Sequence, residues 1–197
     1  VLKSSDIILC EDTRHSLKLL NHLNIKKKLI SYHKFNEKKQ IPNIIEYINQ
    51  GKILSLISDA GTPVLSDPGK VIINECVKRG HDIFTVPGPS SITAAASLSG
   101  YGDQFLFYGF LPKNENELIK CLKKISDINF SLVFFVPAVK INFYLKSFKK
   151  IFSGRDIFIA REMTKKHETH YRGSIETIKL FDKVVKGELT IVLSKII

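Results

Sequence analysis

The sequence predicts an α/β protein of two domains, the first on a mostly parallel sheet and the second mixed α+β. Three observations carry this. Short apolar runs alternate with segments of helical period across residues 7–98, as repeated strand–helix–strand crossovers require. The alternation loosens after Asp103 and ends in a hairpin-like pattern. Gly100 and Gly102 follow a helical segment and are suited to end it, so the domains are expected over residues 1–102 and 103–197.

In chain order, residues 7–10 read as a strand and residues 14–23 as a helix with Leu17, Leu20 and Leu23 inward. Residues 29–32 and 53–57 are the next strands, with a helix between them at 38–49 that carries Ile41, Ile44, Ile45 and Ile48. A loop at 59–68 leads to a helix at 70–78, then a fourth strand at 82–86, a break at Pro87-Gly88-Pro89 and a helix at 90–98. In the second domain, strands are expected at 105–109, 131–136, 155–160, 168–172 and 189–194. Helices are expected at 115–125 and 139–149, with a short one near 175–180. With no linker-like tract between the domains, a cleft between them is the expected ligand site.

Composition narrows the function classes. The chain has 197 residues, enough for a substantial core. No run approaches the ~18 apolar residues of a membrane helix, so neither a membrane span nor a signal peptide is expected. Cys10, Cys76 and Cys121 are odd in number and widely spaced, which fits reduced, buried thiols and neither a disulfide framework nor a metal site. The formal charge of +11 suits a polyanionic partner. It has a second explanation, because 25 of the 30 basic residues are Lys and 26 residues are Ile, the bias of an AT-rich coding sequence. Charge therefore supports an RNA reading without establishing it. Lys26 to Lys28, Lys34, Lys38, Lys39, Lys149, Lys150, Lys165 and Lys166 are the residues placed to follow phosphates.

Two segments carry chemistry. Ser58-Asp59-Ala60-Gly61-Thr62-Pro63 runs on through Asp67-Pro68-Gly69, between a strand and a helix, where open α/β sheets bind ligands. Ala60 and Gly61 admit a ligand to the backbone, Asp59 can accept from a ribose or amine, and Asp67 is placed to cap the next helix. The alternative is a plain turn with a cap. Pro87-Gly88-Pro89-Ser90-Ser91-Ile92-Thr93 carries a strand end into a helix N-terminus with free N–H groups. Neither segment holds the Gly-Lys-Ser/Thr of a phosphate loop, a Gly-x-Gly-x-x-Gly fingerprint or a nucleophile elbow around Ser90.

Seven blocks occur in order: Cys10-Glu11-Asp12-Thr13-Arg14-His15, Ser31-Tyr32-His33 with Asn36-Glu37, residues 58–69, 87–90 and 105–112, Ala160-Arg161-Glu162-Met163-Thr164-Lys165 with Glu168-Thr169, and Lys186-Gly187-Glu188. Together they resemble the tetrapyrrole-methylase superfamily, in its branch that methylates ribosomal RNA of the small subunit. The resemblance implies that fold, S-adenosylmethionine as methyl donor in a cleft between the domains, and a cytidine ribose 2′-oxygen in the decoding region of 16S rRNA as acceptor. It further implies a cytoplasmic homodimer needing no metal.

Carried over residue by residue, donor contacts are expected at Asp59, Ala60, Gly61, Thr62, Ser90, Ser91, Ile92, Thr93, Leu111, Pro112, Ala160 and Arg161. Glu11 to His15 would lie near them. A start of helix with its cap is the other reading of Glu11 to His15, and an ion-pair cluster that of Arg161 to Lys165. Catalysis is expected to be mostly positional, with Glu11, His33, Glu162 and Lys165 as candidate bases. Two departures from the family stand out. Its opening strand and Pro-Thr-Pro-Ile-Gly-Asn-Leu-type loop find no match before Val1, so the first domain is expected here without that strand. Its Tyr-Glu-Ser-Pro-His-Arg segment reads Phe135-Val136-Pro137-Ala138-Val139-Lys140. The competing functions are a catalytically silent RNA-binding relative and a methylase of a small tetrapyrrole-like substrate.

Overall fold

Four consecutive apolar residues make Ile7–Cys10 (β1) a strand buried on both faces. In a computed structural model, which describes residues 1–196, β1 pairs in parallel with Lys28–Ser31 (β2) on one side and Leu54–Leu56 (β3) on the other. Parallel neighbours need crossovers, which Thr13–His22 (α1) and Glu37–Asn49 (α2) supply. Side chains alternate along β1. Ile7 and Leu9 pack with Ile44 and Ile45 of α2 and with Ile72 and Cys76 of Lys70–Arg79 (α3). Ile8 packs on the opposite face with Leu20 of α1 and with Ile25. Each such side chain stabilises the unit by about 1.5–3 kcal/mol.

Residues 82–86, expected as a strand, are not one. They have no ladder partner among the described residues, and Ile83, Phe84 and Val86 are exposed. Strand propensity is a fit to a neighbouring ladder, and without that neighbour it decides nothing.

The second unit holds Ser91–Ser99 (α4), Phe105–Phe110 (β4), Glu115–Ile125 (α5), Ser131–Pro137 (β5), Ile141–Ile151 (α6), Asp156–Arg161 (β6), Thr169–Ser174 (β7) and Glu188–Leu193 (β8). Its sheet runs β4-β5-β8-β6-β7, with β4 and β5 parallel and the other pairs antiparallel. Leu132, Phe134, Ile157, Ile159 and Ile191 face α5 and α6. Val133, Phe158, Ala160 and Val192 face Ile92 and Ala95 of α4. Because α4 covers this sheet, the chain divides into Val1–Pro89 and Ser90–Ile197, earlier than the break expected at Gly100 to Asp103.

Two further expectations change. The hairpin-like end is not a hairpin, since β7 and β8 both pair with β6, which lies between them. The short helix near 175–180 is a turn. Its backbone finds other partners: Thr177 and Ile178 N–H donate to the Ser174 carbonyl, and the Asn142 side chain brackets Phe181 at 2.8 and 2.9 Å. Cys10, Cys76 and Cys121 are buried and unpaired. Among the described residues no helix is long and apolar enough to cross a membrane.

Candidate functional site

In the first unit β1 and β3 deliver Glu11 and Asp59 from the same ends of parallel strands. The loop after β3 is held by its own side chains. Ser58 Oγ donates to the carbonyls of Ala60 and Gly61 at 3.1 and 3.2 Å. Thr62 Oγ1 donates to the Pro89 carbonyl at 3.0 Å, tying the loop to the Pro-Gly-Pro turn. The N-cap of α3 is Gly69, at φ +137°. A Cβ at Gly69 would lie 2.7 Å from both Leu56 and Val64. The helix start is thus pressed against β3, and only glycine has the room and the φ for it.

The Glu11 carboxyl is raised from its ordinary value, first by burial and then by the negative charges of Asp67 and Asp59. It accepts a hydrogen bond from the Asp59 backbone N–H, and His33 partly offsets the raising. Asp12 behaves differently. It is the N-cap of α1, accepting from the Arg14 N–H at 2.8 Å, and its bonds to Arg14 lower it to about 2. Within Glu11 to His15, then, the helix-start reading describes Asp12 and Arg14, while Glu11 faces the loop carboxylates.

His33 sits in a tight turn. Asn36 Oδ1 accepts the His33 N–H at 2.8 Å, Asn36 Nδ2 donates to the Ser31 carbonyl at 3.0 Å, and the Phe35 N–H donates to His33 Nδ1 at 3.2 Å. With Nδ1 accepting, a neutral His33 carries its proton on Nε2 and has no free lone pair for base catalysis.

In the second unit Ser90 is the N-cap of α4, with no side-chain cap bond, so the first-turn N–H groups and the Ser91 and Thr93 hydroxyls are the polar groups presented there. Ile92, Leu111 and Ala160 have their side chains buried in the core. Pro112 is half-buried. The loop after β6 is a clamp. Arg161 donates to the carbonyls of Lys186 at 2.7 Å and His167 at 3.1 Å. Lys165 Nζ lies 3.1 Å from Glu162 and 2.7 Å from Glu188, and the Glu188 N–H donates to Glu162 at 2.8 Å. A Cβ on Gly187 would fall 2.6 Å from the Glu162 carboxylate, which is why the Lys186-Gly187-Glu188 block needs its glycine. Lys165 is raised, chiefly by Glu188, and Glu162 is lowered, chiefly by a backbone bond from Glu188. A lysine held protonated and a carboxylate held ionised in one cluster are poor bases. The ion-pair reading fits these residues.

Of the five non-glycine residues at positive φ among the described residues, four lie in the two loops: Val64 and Ser66 at +77° and +72°, Glu162 and Thr164 at +52° and +64°. Backbone held in this region costs about 1–3 kcal/mol per residue and persists only where its surroundings fix it. Two hollows of the second unit, about 590 Å³ beside Tyr171 and Phe181 and about 540 Å³ beside Phe143 and Lys146, are lined by none of the expected donor contacts or candidate bases; the second is lined by Lys149 and Lys150, two of the lysines expected to follow phosphates. Among the described residues no group of His, Cys, Asp or Glu is arranged to hold a metal ion.

Sequence reasoning passed over two arginines. Arg155, 1% exposed, donates to the carbonyls of Ser126, Ile128, Phe130 and Ser194. Arg172 stacks over Phe158 at 4.2 Å and donates to Ser99 and Leu98 at the end of α4. Arginine's scarcity was the available signal. In a chain this rich in lysine, four of the five arginines, Arg14, Arg155, Arg161 and Arg172, use more than one guanidinium nitrogen in directed contacts that a fork serves and an ammonium does not.

Comparison with known proteins agrees with this architecture. The family model described as Tetrapyrrole (Corrin/Porphyrin) Methylases matches residues 1–179. The chain is 43% identical to a Ribosomal RNA small subunit methyltransferase I of Thermotoga maritima, over 98% of this chain and 88% of that one. It is 42% identical to the protein of the same name from Mesomycoplasma conjunctivae, over 98% and 81%. Among solved structures, the methyltransferase CobJ aligns with TM-score 0.65 over 98% of this chain and 95% of its own, at 16% identity, which speaks to fold alone. The chain belongs to the tetrapyrrole methylase family and, within it, to the group of ribosomal RNA small subunit methyltransferase I proteins.

Proposed function

We propose that this chain transfers a methyl group from S-adenosylmethionine to small-subunit ribosomal RNA, at the ribose 2′-oxygen of a cytidine in the decoding region. The carrying observation is the 43% identity, over nearly the whole chain, to a relative of that name. The first unit supports it chemically. Glu11, Asp59 and Asp67 gather negative charge at the strand ends, complementary to a donor with sulfonium and ammonium charges. Asp59, Ala60, Gly61 and Thr62 are the donor contacts proposed there. Ser90, Ser91, Ile92, Thr93, Leu111, Pro112, Ala160 and Arg161 are those proposed in the second unit, with Arg161 acting mainly as a brace.

When bound, S-adenosylmethionine supplies an electrophilic methyl on a leaving group that departs neutral. What remains for the protein is to orient the hydroxyl and accept its proton. We assign the proton to Glu11, the one candidate base with a raised carboxyl and no cation locked to it. His33 is a positioning residue. A cytoplasmic homodimer completes the reading, with light scattering as its check.

The test is transfer from labelled donor to unmethylated small-subunit rRNA, with the product mapped by resistance of the modified linkage to alkali. A single resistant linkage at a cytidine is expected. Methyl on a base, or transfer only to porphyrin precursors, sinks the reading.

A further inference from the structure

Phe35 is 94% exposed, more than any other large hydrophobic side chain among the described residues. Its backbone is nonetheless fixed. Asn36 and Glu37 N–H donate to the His33 carbonyl at 2.9 Å, and the Asn36 side chain and the His33 ring bind the rest of the turn. A turn this well ordered holds an aromatic ring in water where the fold gains nothing from it. The ring lies 6.1 Å, centroid to centroid, from His33, two residues after Ser31, whose Oγ donates to the Glu11 carbonyl at 3.5 Å. Lys34, Lys38 and Lys39 are exposed around it, and among the described residues none forms an ion pair. Glu37 is the only acid in the turn, and it is half-buried beside Tyr32.

We infer that this turn is a nucleobase-stacking site. Phe35 takes the face of an unstacked base of the RNA substrate near the reacting nucleotide, and Lys34, Lys38 and Lys39 take flanking phosphates. Sequence-tolerant recognition of single-stranded RNA combines these two elements, a π face and mobile cations. The inference rests on the rRNA reading above.

The experiment measures kcat and KM for unmethylated small-subunit rRNA, and donor affinity without RNA, in wild type, Phe35→Ala, Phe35→Leu and Phe35→Trp. Phe35→Ala should raise KM for RNA by about 5- to 100-fold, the range for loss of one stacked base. Donor affinity and the slope of RNA binding against salt should stay unchanged. Phe35→Trp should restore KM and Phe35→Leu should not, since leucine gives apolar area without a π face. Lys38→Ala with Lys39→Ala should flatten the salt slope by about 0.7 for each phosphate that is no longer neutralised.

An unchanged KM in Phe35→Ala overturns the proposal, as does rescue by leucine, which points to an apolar protein contact. Weakened donor binding, or a change of oligomeric state, overturns it too by giving the ring another occupant. A wild type that methylates no rRNA refutes the functional reading first and the stacking site with it. An active wild type with indifferent Phe35 variants refutes the stacking site alone.

Discussion

The loop after β3 and the loop after β6 are alike in plan. Each leaves the end of a strand, holds two non-glycine residues at positive φ, and is crowded by a glycine whose Cβ would collide with a neighbour. They differ in what they do to a carboxyl. Beside the first, Glu11 is half-buried near Asp59 and Asp67 and raised; in the second, Glu162 is bonded by the Glu188 N–H and Lys165 and lowered. One arrangement favours taking up a proton and the other forbids it. The difference comes first from the Glu188 N–H and then from Lys165 on one side, and from burial beside two carboxylates on the other, and it separates a candidate for chemistry from a brace.

That contrast can be broken by mutation. Glu11→Gln should lower kcat by about a hundredfold to ten-thousandfold, the span of general-base contributions, while donor affinity persists. A loss under about threefold would return catalysis to positioning alone. Gly187→Ala should cost about 1–3 kcal/mol of stability, because it adds a Cβ at φ +101° against the Glu162 carboxylate. Thermal or denaturant unfolding reads this directly. Lys165→Met should cost under about 1 kcal/mol, since its head group is half-exposed and water screens the pair, and should change kcat only a fewfold. A collapse of kcat there would make the second loop more than a brace.

The smallest effect is in pH, where the two carboxyls have opposite signs. Glu11 is raised in the folded state, so its favourable contribution is present below the ordinary carboxylate range and is lost as pH rises toward the raised value. Glu162 is lowered, so its contribution is present above that range and is lost as pH falls toward the lowered value. Difference melting curves of Glu11→Gln and Glu162→Gln against wild type, from acidic to neutral pH, should slope in opposite directions. The acid limb of kcat/KM should follow Glu11 and vanish in Glu11→Gln.

Most of the fold was legible because each element carries its own pattern. Ile7–Cys10 is uniformly apolar and is the central strand of its sheet; α5 and α6 show clean helical faces and lie where the period put them. Misreadings arose where a partner decides the outcome. Residues 82–86 have strand composition and, among the described residues, no strand beside them, while residues 175–180 have helical spacing but make a single turn on Ser174 before Asn142 binds Phe181. At the site, the ordered blocks named the segments but could not rank four candidate bases. That ranking depends on Lys165 lying between two carboxylates and on His33 accepting at Nδ1, distances between side chains that no spacing records.

The strand order of the second unit has a consequence for synthesis. β8 lies at the centre of its sheet, between β5 and β6, yet leaves the ribosome after every other strand. Until residues 188–193 are made, β5 and β6 each present an unpaired inner edge, the kind that recruits other chains. The first unit's strands are complete by residue 56, and each is separated from the next by a single helix. Nascent chains should therefore hold a folded front half and an unfinished back half. The second unit's sheet closes only when β8 slots into a gap bordered on both sides.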